Sequence, residues 1–360
     1  MRSFNFNAGP AAMPLSVLET LQRDLVDYQG RGLSVLEMSH RSSDFIAIAQ
    51  QAEADLRTLL AVPDEYSVLF MQGGATSQFA LTVHNLDTNG RVAFANTGYW
   101  SDKASKIAAL STDTHEVVRT SREELVSVPP ADHWLDPGDA SYLHVTDNET
   151  IDGIRLGEFP DGPIPTVVDM SSSILSRPLA IERYGLIYAG AQKNIGPAGI
   201  TVVLIRNALL ERSAQREHLA PVFSYAAMNN AGSMLNTPPT FAWYAAGLVF
   251  QWLLEEGGLS VIANRNERQA ESVYAAIDAS EVFSNNVHPD NRSVMNIPFQ
   301  VSRPEWEAGF LQGGAQRGLI GLKGHKSVGG LRASLYNAVT DKAVDALVDY
   351  LHEFARNPKA

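Results

Sequence analysis

Lys193 closes an apolar, β-branched run, Leu186-Ile-Tyr-Ala-Gly-Ala-Gln192, and Asn-Ile-Gly-Pro-Ala-Gly199 leads from it into a second run, Ile200-Thr-Val-Val-Leu-Ile205. This pattern predicts two strands, 186–192 and 200–205, joined by a short turn with the lysine at the strand end. An ammonium is costly to desolvate without a partner. Desolvation also lowers a lysine's pKa and makes its amine nucleophilic, as Schiff-base chemistry requires. The competing reading is a strand-end lysine whose amine simply reaches solvent. A second ionisable group, Asp169, ends the run Thr166-Val-Val-Asp169 upstream.

The elements that must position these two groups alternate in type. Tyr66–Met71 has strand character, and Gly73-Gly-Ala-Thr-Ser-Gln78 leads from it into a helix expected to start at Phe79. A strand, a small-residue loop and a helix start make a cup for an anion, because glycines admit a close backbone approach and free N–H groups point at the charge. Arg91–Ala95 is a further strand, and Trp100 stands in its loop before a helix near Ser101, where an indole can stack on a flat ring. Ser141–Val145 and Thr166–Asp169 continue the series. The alternation predicts an α/β fold with a mostly parallel sheet flanked by helices. In such sheets ligands sit beyond the carboxyl ends of the strands. Gly73 to Thr76, Trp100, Thr150, Asp169 and Lys193 all fall at such ends, and their convergence on one side outweighs any one of them.

Flanking segments are also patterned. Leu15–Tyr28 and Phe45–Leu60 carry helical periodicity, the second with Ser43 or Asp44 as its cap, and His40 and Arg41 stand in the loop ahead of it. Asn229–Thr240 is polar and stiffened by two prolines, and Phe241–Glu256 is a long apolar helix stopped by Gly257-Gly258. From about residue 260 the pattern shifts: a helix to Ala279, a strand at 293–301, a helix over 304–318, a strand at Arg332–Tyr336 and a last helix over 340–356. We therefore expect a large domain over 15–259 and a smaller α+β domain formed by 1–14 with 260–360.

Of 360 residues, 45% are hydrophobic and 19% charged, an ordinary globular balance with ample core. A formal net charge of −12 argues against a nucleic-acid partner, so an anionic ligand must be held by locally placed cations. No run reaches the length of a membrane span and the N-terminus lacks a signal-peptide core. With no cysteine, disulfides and thiolate chemistry are excluded, which fits a reducing, cytoplasmic setting. The nine histidines show no metal-ligand spacing.

An aspartate and a strand-end lysine beside a phosphate cup suit pyridoxal 5'-phosphate, with Lys193 as covalent anchor and Asp169 keeping the ring nitrogen protonated. Several windows then resemble one family closely. Tyr188-Ala-Gly-Ala-Gln-Lys193-Asn-Ile-Gly-Pro-Ala-Gly199, Ser39-His40-Arg41, Asn148-Glu-Thr150-Ile-Asp-Gly153, Asn236-Thr237-Pro-Pro-Thr-Phe-Ala-Trp-Tyr244 and Gly324-His325-Lys326-Ser-Val-Gly-Gly-Leu-Arg332-Ala-Ser334 are similar to the phosphoserine aminotransferases, class V enzymes of fold type I. The match spans nearly the whole chain.

The resemblance implies a homodimer that exchanges the amino group between O-phospho-L-serine with 2-oxoglutarate and 3-phosphooxypyruvate with L-glutamate, in serine biosynthesis. Some relatives also serve pyridoxine biosynthesis through 4-phosphohydroxy-L-threonine. It implies further that Lys193 and Asp169 are catalytic, that Trp100 stacks on the cofactor ring, and that Thr150 bonds the ring oxygen. Ala75, Thr76 and Gln192 would hold the cofactor phosphate, with Asn236 and Thr237 reaching the neighbouring subunit's cofactor. For substrate it points to His40, Arg41, His325, Lys326 and Arg332. Two positions depart from the usual pattern: Ala75-Thr76 stands where many members have Gly-Arg, and His325-Lys326 where others have His-Arg.

Other uses of Lys193 fit less well. A cysteine desulfurase lacks its nucleophile here. An alanine–glyoxylate or serine–pyruvate aminotransferase would not need Arg41 with His325 and Lys326. A cofactor-free aldolase would not use Asp169 or the cup, and a non-catalytic cofactor-binding protein need not keep Arg332.

Overall fold

The apolar runs assemble into a seven-stranded sheet in the computed structural model, which describes residues 2–122 and 124–358. The elements begin with β1 (Phe4–Asn5), α1 (Leu15–Asp24), α2 (Ser43–Leu60), β2 (Tyr66–Gly73), α3 (Ala75–Leu86), β3 (Arg91–Asn96), α4 (Tyr99–Ala108), β4 (Asp113–Arg119) and β5 (Leu143–Thr146). A small hairpin, β6 (Asn148–Glu149) and β7 (Ile154–Arg155), precedes β8 (Thr166–Asp169), β9 (Leu186–Gly190) and β10 (Gly199–Arg206). Helices α5 (Asn207–Ala214), α6 (Tyr225–Asn230), α7 (Thr240–Glu255) and α8 (Leu259–Asp278) follow. Then come β11 (Phe283–Ser284), β12 (Asn296–Val301), α9 (Trp306–Gln316), β13 (Leu319–Ile320), β14 (Leu331–Ser334) and α10 (Asp341–Arg356).

The large sheet has the order β2-β10-β9-β8-β5-β3-β4. Strands β9, β8, β5, β3 and β4 pair in parallel, while β10 is antiparallel to both of its neighbours, β2 and β9. Every strand except β10 therefore delivers its carboxyl end to the same edge. Because β10 runs the other way, its first residue, Gly199, reaches that edge too and pairs with Gly73. This antiparallel return sets the turn that carries Lys193 beside the glycine loop.

Burial explains why these strands are continuous apolar runs. On β10, Ile200, Val202 and Leu204 point into a core shared with Ile187 and Ala189 of β9 and with α2 and α7. Val203 and Ile205 point the opposite way, into a core with Leu186, Tyr188, α3 and α4. Each such side chain contributes about 1.5–3 kcal/mol by leaving water. A third core joins Phe6 to Ile297, Phe299, Phe310, Leu347 and Phe354 around the antiparallel sheet β11-β12-β14. Strand β1 pairs with β13 and carries Phe6 into it.

Several element bounds differ from the sequence expectation. Helix α3 begins at Ala75 instead of Phe79, since nothing in Ala75-Thr-Ser-Gln breaks a helix, and Gly74 is its extended N-cap. Thr76 thus belongs to a helix first turn. Ser42, neither Ser43 nor Asp44, caps α2, its Oγ accepting the Phe45 N–H at 3.3 Å. Helix α1 stops at Asp24, short of Tyr28, and α4 starts at Tyr99, two positions before Ser101. Strand β9 ends at Gly190, so Lys193 stands in the turn beyond it. No helix among the described residues is long and apolar enough to cross a membrane, and no three His, Asp or Glu among them are grouped to hold a metal.

Candidate active site

A cavity of about 360 Å³ opens at the carboxyl edge of the large sheet. Lys193, Asp169, Trp100, Thr150, Gln192, Ala75, Thr76, His325 and Arg332, all singled out in the sequence, line it together. A larger groove of about 790 Å³ lies between α8 and α10, near His352 and Arg356, away from these groups.

Burial is the main force on the Lys193 amine and pushes it down to about 8 from its ordinary 10.5. The carboxylates of Asp169 and Glu149 oppose this, and the Arg332 guanidinium reinforces it. Its Nζ lies 6.0 Å from the centre of the Trp100 ring. Asp169 is buried at the end of β8, and desolvation raises its proton affinity. Ser171 restrains that rise, its backbone N–H donating to Oδ1 at 2.8 Å, and Lys193 adds a favourable charge. A basic aspartate and a nucleophilic amine thus face one cavity.

The anion cup is built from backbone. Helix α3 has no side-chain cap, which leaves the N–H groups of Ala75 and Thr76 available to a ligand. At Gly190 a Cβ would crowd the cup, sitting 2.8 Å from Gln192 Oε1 and 3.3 Å from the Ala75 nitrogen. The Gln192 amide is thereby brought against the start of α3. Gly9, at φ +146, lies close over the Gln192 and Lys193 side chains, and Ala11 N–H donates to the Gln192 carbonyl at 2.9 Å.

On the opposite wall, Trp100 Nε1 donates to Thr150 Oγ1 at 2.8 Å, which orients the indole and leaves the threonine's own O–H proton free. Arg332 Nη1 donates to the Thr150 carbonyl at 2.9 Å. His325 Nδ1 lies 2.6 Å from Ser327 Oγ, and its ring is 5.7 Å from that of Tyr99. Burial, and then Arg332 and Lys326, lower the His325 pKa, so the ring is neutral at pH 7. An uncapped helix start, a reactive amine, an indole face and a buried acid fit pyridoxal phosphate in size and chemistry.

Other expected residues stand apart from this cavity. Arg41 and Lys326 are exposed and, with His40, are not among its lining residues. Asn236 and Thr237 are held beside the strand edge by Gln72, whose Nε2 donates to Asn236 Oδ1 at 2.7 Å and to the Thr237 carbonyl at 3.1 Å. Sequence reasoning missed the lining residues Thr146, Asn148, Ser171 and Ser172, all next to strand ends that it had identified. It also passed over Gly9, although Asn7-Ala-Gly-Pro10 was visible as a turn.

The chain matches the model of the family described as aminotransferase class-V over residues 3–347. It is 47% identical over 358 residues to the phosphoserine aminotransferase of Acinetobacter baylyi, covering 99% of both chains. A solved phosphoserine aminotransferase from Bacillus circulans subsp. alkalophilus is similar with a TM-score of 0.93 and 44% identity, covering 99% of each chain. The pyridoxal-phosphate-bound enzyme from Trichomonas vaginalis gives a TM-score of 0.93 at 40% identity, covering 98% of this chain and all of that one.

Proposed function

The chain belongs to the class-V aminotransferase family and, within it, to the phosphoserine aminotransferases; on that premise we propose that it transfers the amino group between O-phospho-L-serine with 2-oxoglutarate and 3-phosphooxypyruvate with L-glutamate, on the route to L-serine. The observation that carries the reading is the pairing of Lys193, its amine pushed down to about 8, with buried Asp169 at the mouth of the anion cup. Bound pyridoxal phosphate supplies the electron sink for the carbanion formed at the substrate Cα and carries the amino group between the two half-reactions.

The chain's own residues do the rest. Lys193 would anchor the cofactor covalently, and its Nζ, once displaced by substrate, would carry the proton from Cα to the cofactor carbon that had held it, and back the other way in the second half-reaction. Asp169 holds the proton on the ring nitrogen. Trp100 covers one ring face, and the free O–H of Thr150 serves the ring oxygen. The first-turn N–H groups at Ala75 and Thr76 and the Gln192 amide hold the phosphate. Arg332 grips the α-carboxylate with its planar fork. His325 meets the second anion, which both amino-acid substrates carry, as a hydrogen-bond donor, and the positive charge at that end comes from Arg41 and Lys326, so one end serves both half-reactions.

The proposal includes a cytoplasmic homodimer in which Asn236 and Thr237 reach the neighbouring cofactor phosphate and His40, Arg41 and Lys326 complete the distal anion site. That none of them lines this chain's own cavity supports it. It also includes a large domain over 15–259 and a small one formed by 1–14 and 260–360, supported by the separate core around Phe310. The test is single turnover: cofactor-loaded protein is mixed with L-glutamate, O-phospho-L-serine, L-serine or L-alanine, and loss of the lysine-bound cofactor's visible absorbance is followed. Fast conversion confined to the first two is expected. Equal conversion with alanine or serine would refute the substrate assignment.

A further inference from the structure

The β6–β7 hairpin holds a buried carboxylate that none of the steps above uses. Glu149 is fully buried, and both of its oxygens are engaged at the start of α4: Oε2 accepts the Trp100 N–H at 2.8 Å and Oε1 the Ser101 N–H at 2.8 Å. A carboxylate on a ten-residue helix's first N–H groups meets both their unpaired donors and the positive end of the helix dipole. The next residue, Thr150, bonds the Trp100 indole and, through its carbonyl, Arg332. Two adjacent residues thus hold Trp100 at both its backbone and its ring.

The fit leaves no slack. Gly98 has extended backbone, so nothing in its φ requires glycine, yet a Cβ there would lie 2.6 Å from Asp152 Oδ2 and 2.7 Å from Glu149 Cδ. Asp152 takes the neighbouring donor, the Tyr99 N–H, at 2.9 Å and pairs with Arg122. Burial raises the Glu149 pKa to about 7 against the pull of the Ser101 and Trp100 N–H groups, so the carboxylate is kept at an energetic cost that an amide would avoid.

We propose that Glu149 is a positioning residue for the cofactor, acting through Trp100: its two hydrogen bonds fix the first turn of α4 so that the indole lies flat over the space in front of Lys193. This rests on the transaminase reading, and the test separates the two. Apoprotein is titrated with pyridoxal 5'-phosphate, and Kd is measured for wild type, E149Q, W100A and the double variant. Glutamine presents an N–H where the second acceptor stood, so E149Q is expected to raise Kd about tenfold. In the W100A background the same change should alter Kd less than about twofold, because the group it acts through is gone. A general loss of structure would act alike in both backgrounds. Equal effects in the two backgrounds, or an unchanged Kd in E149Q, would overturn the proposal. Absence of cofactor binding by wild type would instead overturn the transaminase reading. Should E149Q not accumulate as folded protein, G98A displaces the same carboxylate by steric contact and is put through the same cycle with W100A.

Discussion

If Lys193 owes its reactivity to its surroundings, the apoprotein should show it without any cofactor. An ordinary lysine has a pKa of 10.5, and here burial brings it to about 8. A displacement of that size makes the neutral amine about 300 times more abundant at pH 7 and about half of the total at pH 8. The assay is reductive trapping: apoprotein is exposed to a small aliphatic aldehyde and borohydride across pH 6–11 (roughly the span of both values), and adducts are counted by peptide mass spectrometry. Modification of Lys193 should have its midpoint near 8, with the surface lysines lagging far behind. Asp169→Asn removes an anion that favours the protonated form and should move the midpoint lower, while Arg332→Gln removes a cation and should move it higher. Stability follows the same displacement. Between pH 8 and 10.5 the unfolded lysine still holds a proton that the folded one has lost, so this residue makes stability rise with pH across that window. Lys193→Met should therefore stabilise the apoprotein most below pH 8, by about 1–2 kcal/mol, less than the full shift because the amine borders an open cavity. The gain should fade between pH 8 and 10.5. A midpoint near 10.5 in wild type would refute the account and leave Lys193 a solvated lysine.

Two further changes probe the walls of the site. Gly153 turns the β6–β7 hairpin at φ +72, and a Cβ there would clash with Cδ and Cγ of Pro298; Gly153→Ala should cost about 2–4 kcal/mol, seen as a lower urea midpoint, and a wild-type midpoint would mean the hairpin yields freely. Arg332→Lys keeps the charge but loses the planar fork and the bond to the Thr150 carbonyl; KM for glutamate should rise about tenfold or more with a smaller change in kcat, and an unchanged KM would remove Arg332 from α-carboxylate binding.

How much of this was legible depended on how local each signal was. Leu186–Gly190 and Gly199–Arg206 were readable because strands buried on both faces leave uninterrupted β-branched runs. Lys193 and Asp169 stood out because charged residues at the ends of such runs are costly unless used. Strand β4, Asp113–Arg119, went unseen because it is an edge strand whose Asp, His, Glu and Arg break the apolar pattern. The pairing of β1 with β13 joins residues more than 300 positions apart, which no periodicity encodes. Glu149 was visible as a letter within Asn148-Glu-Thr150, but its task is set by where α4 begins, and that start was placed two residues late. The roles proposed for Arg41, Lys326, Asn236 and Thr237 come from the resemblance, since none of the four lines this chain's own cavity.

Four asparagines tie the floor of the site to the smaller sheet. Asn148 donates to Ser172 Oγ at 2.8 Å and to Asn296 Oδ1 at 2.9 Å. Asn194, next to Lys193, accepts the Asn337 N–H at 3.1 Å, while Asn337 donates to the Leu175 carbonyl at 2.8 Å. These amides are buried, so a rotation that parted them would strand donors and acceptors with no water to receive them. The seam therefore behaves as a weld, and any breathing of the active site on substrate arrival is left to the glycine-flanked stretch 324–330, whose Lys326, Ser327 and Val328 are exposed. In amide exchange the weld and that stretch should separate widely, the first opening with the whole molecule and the second on its own.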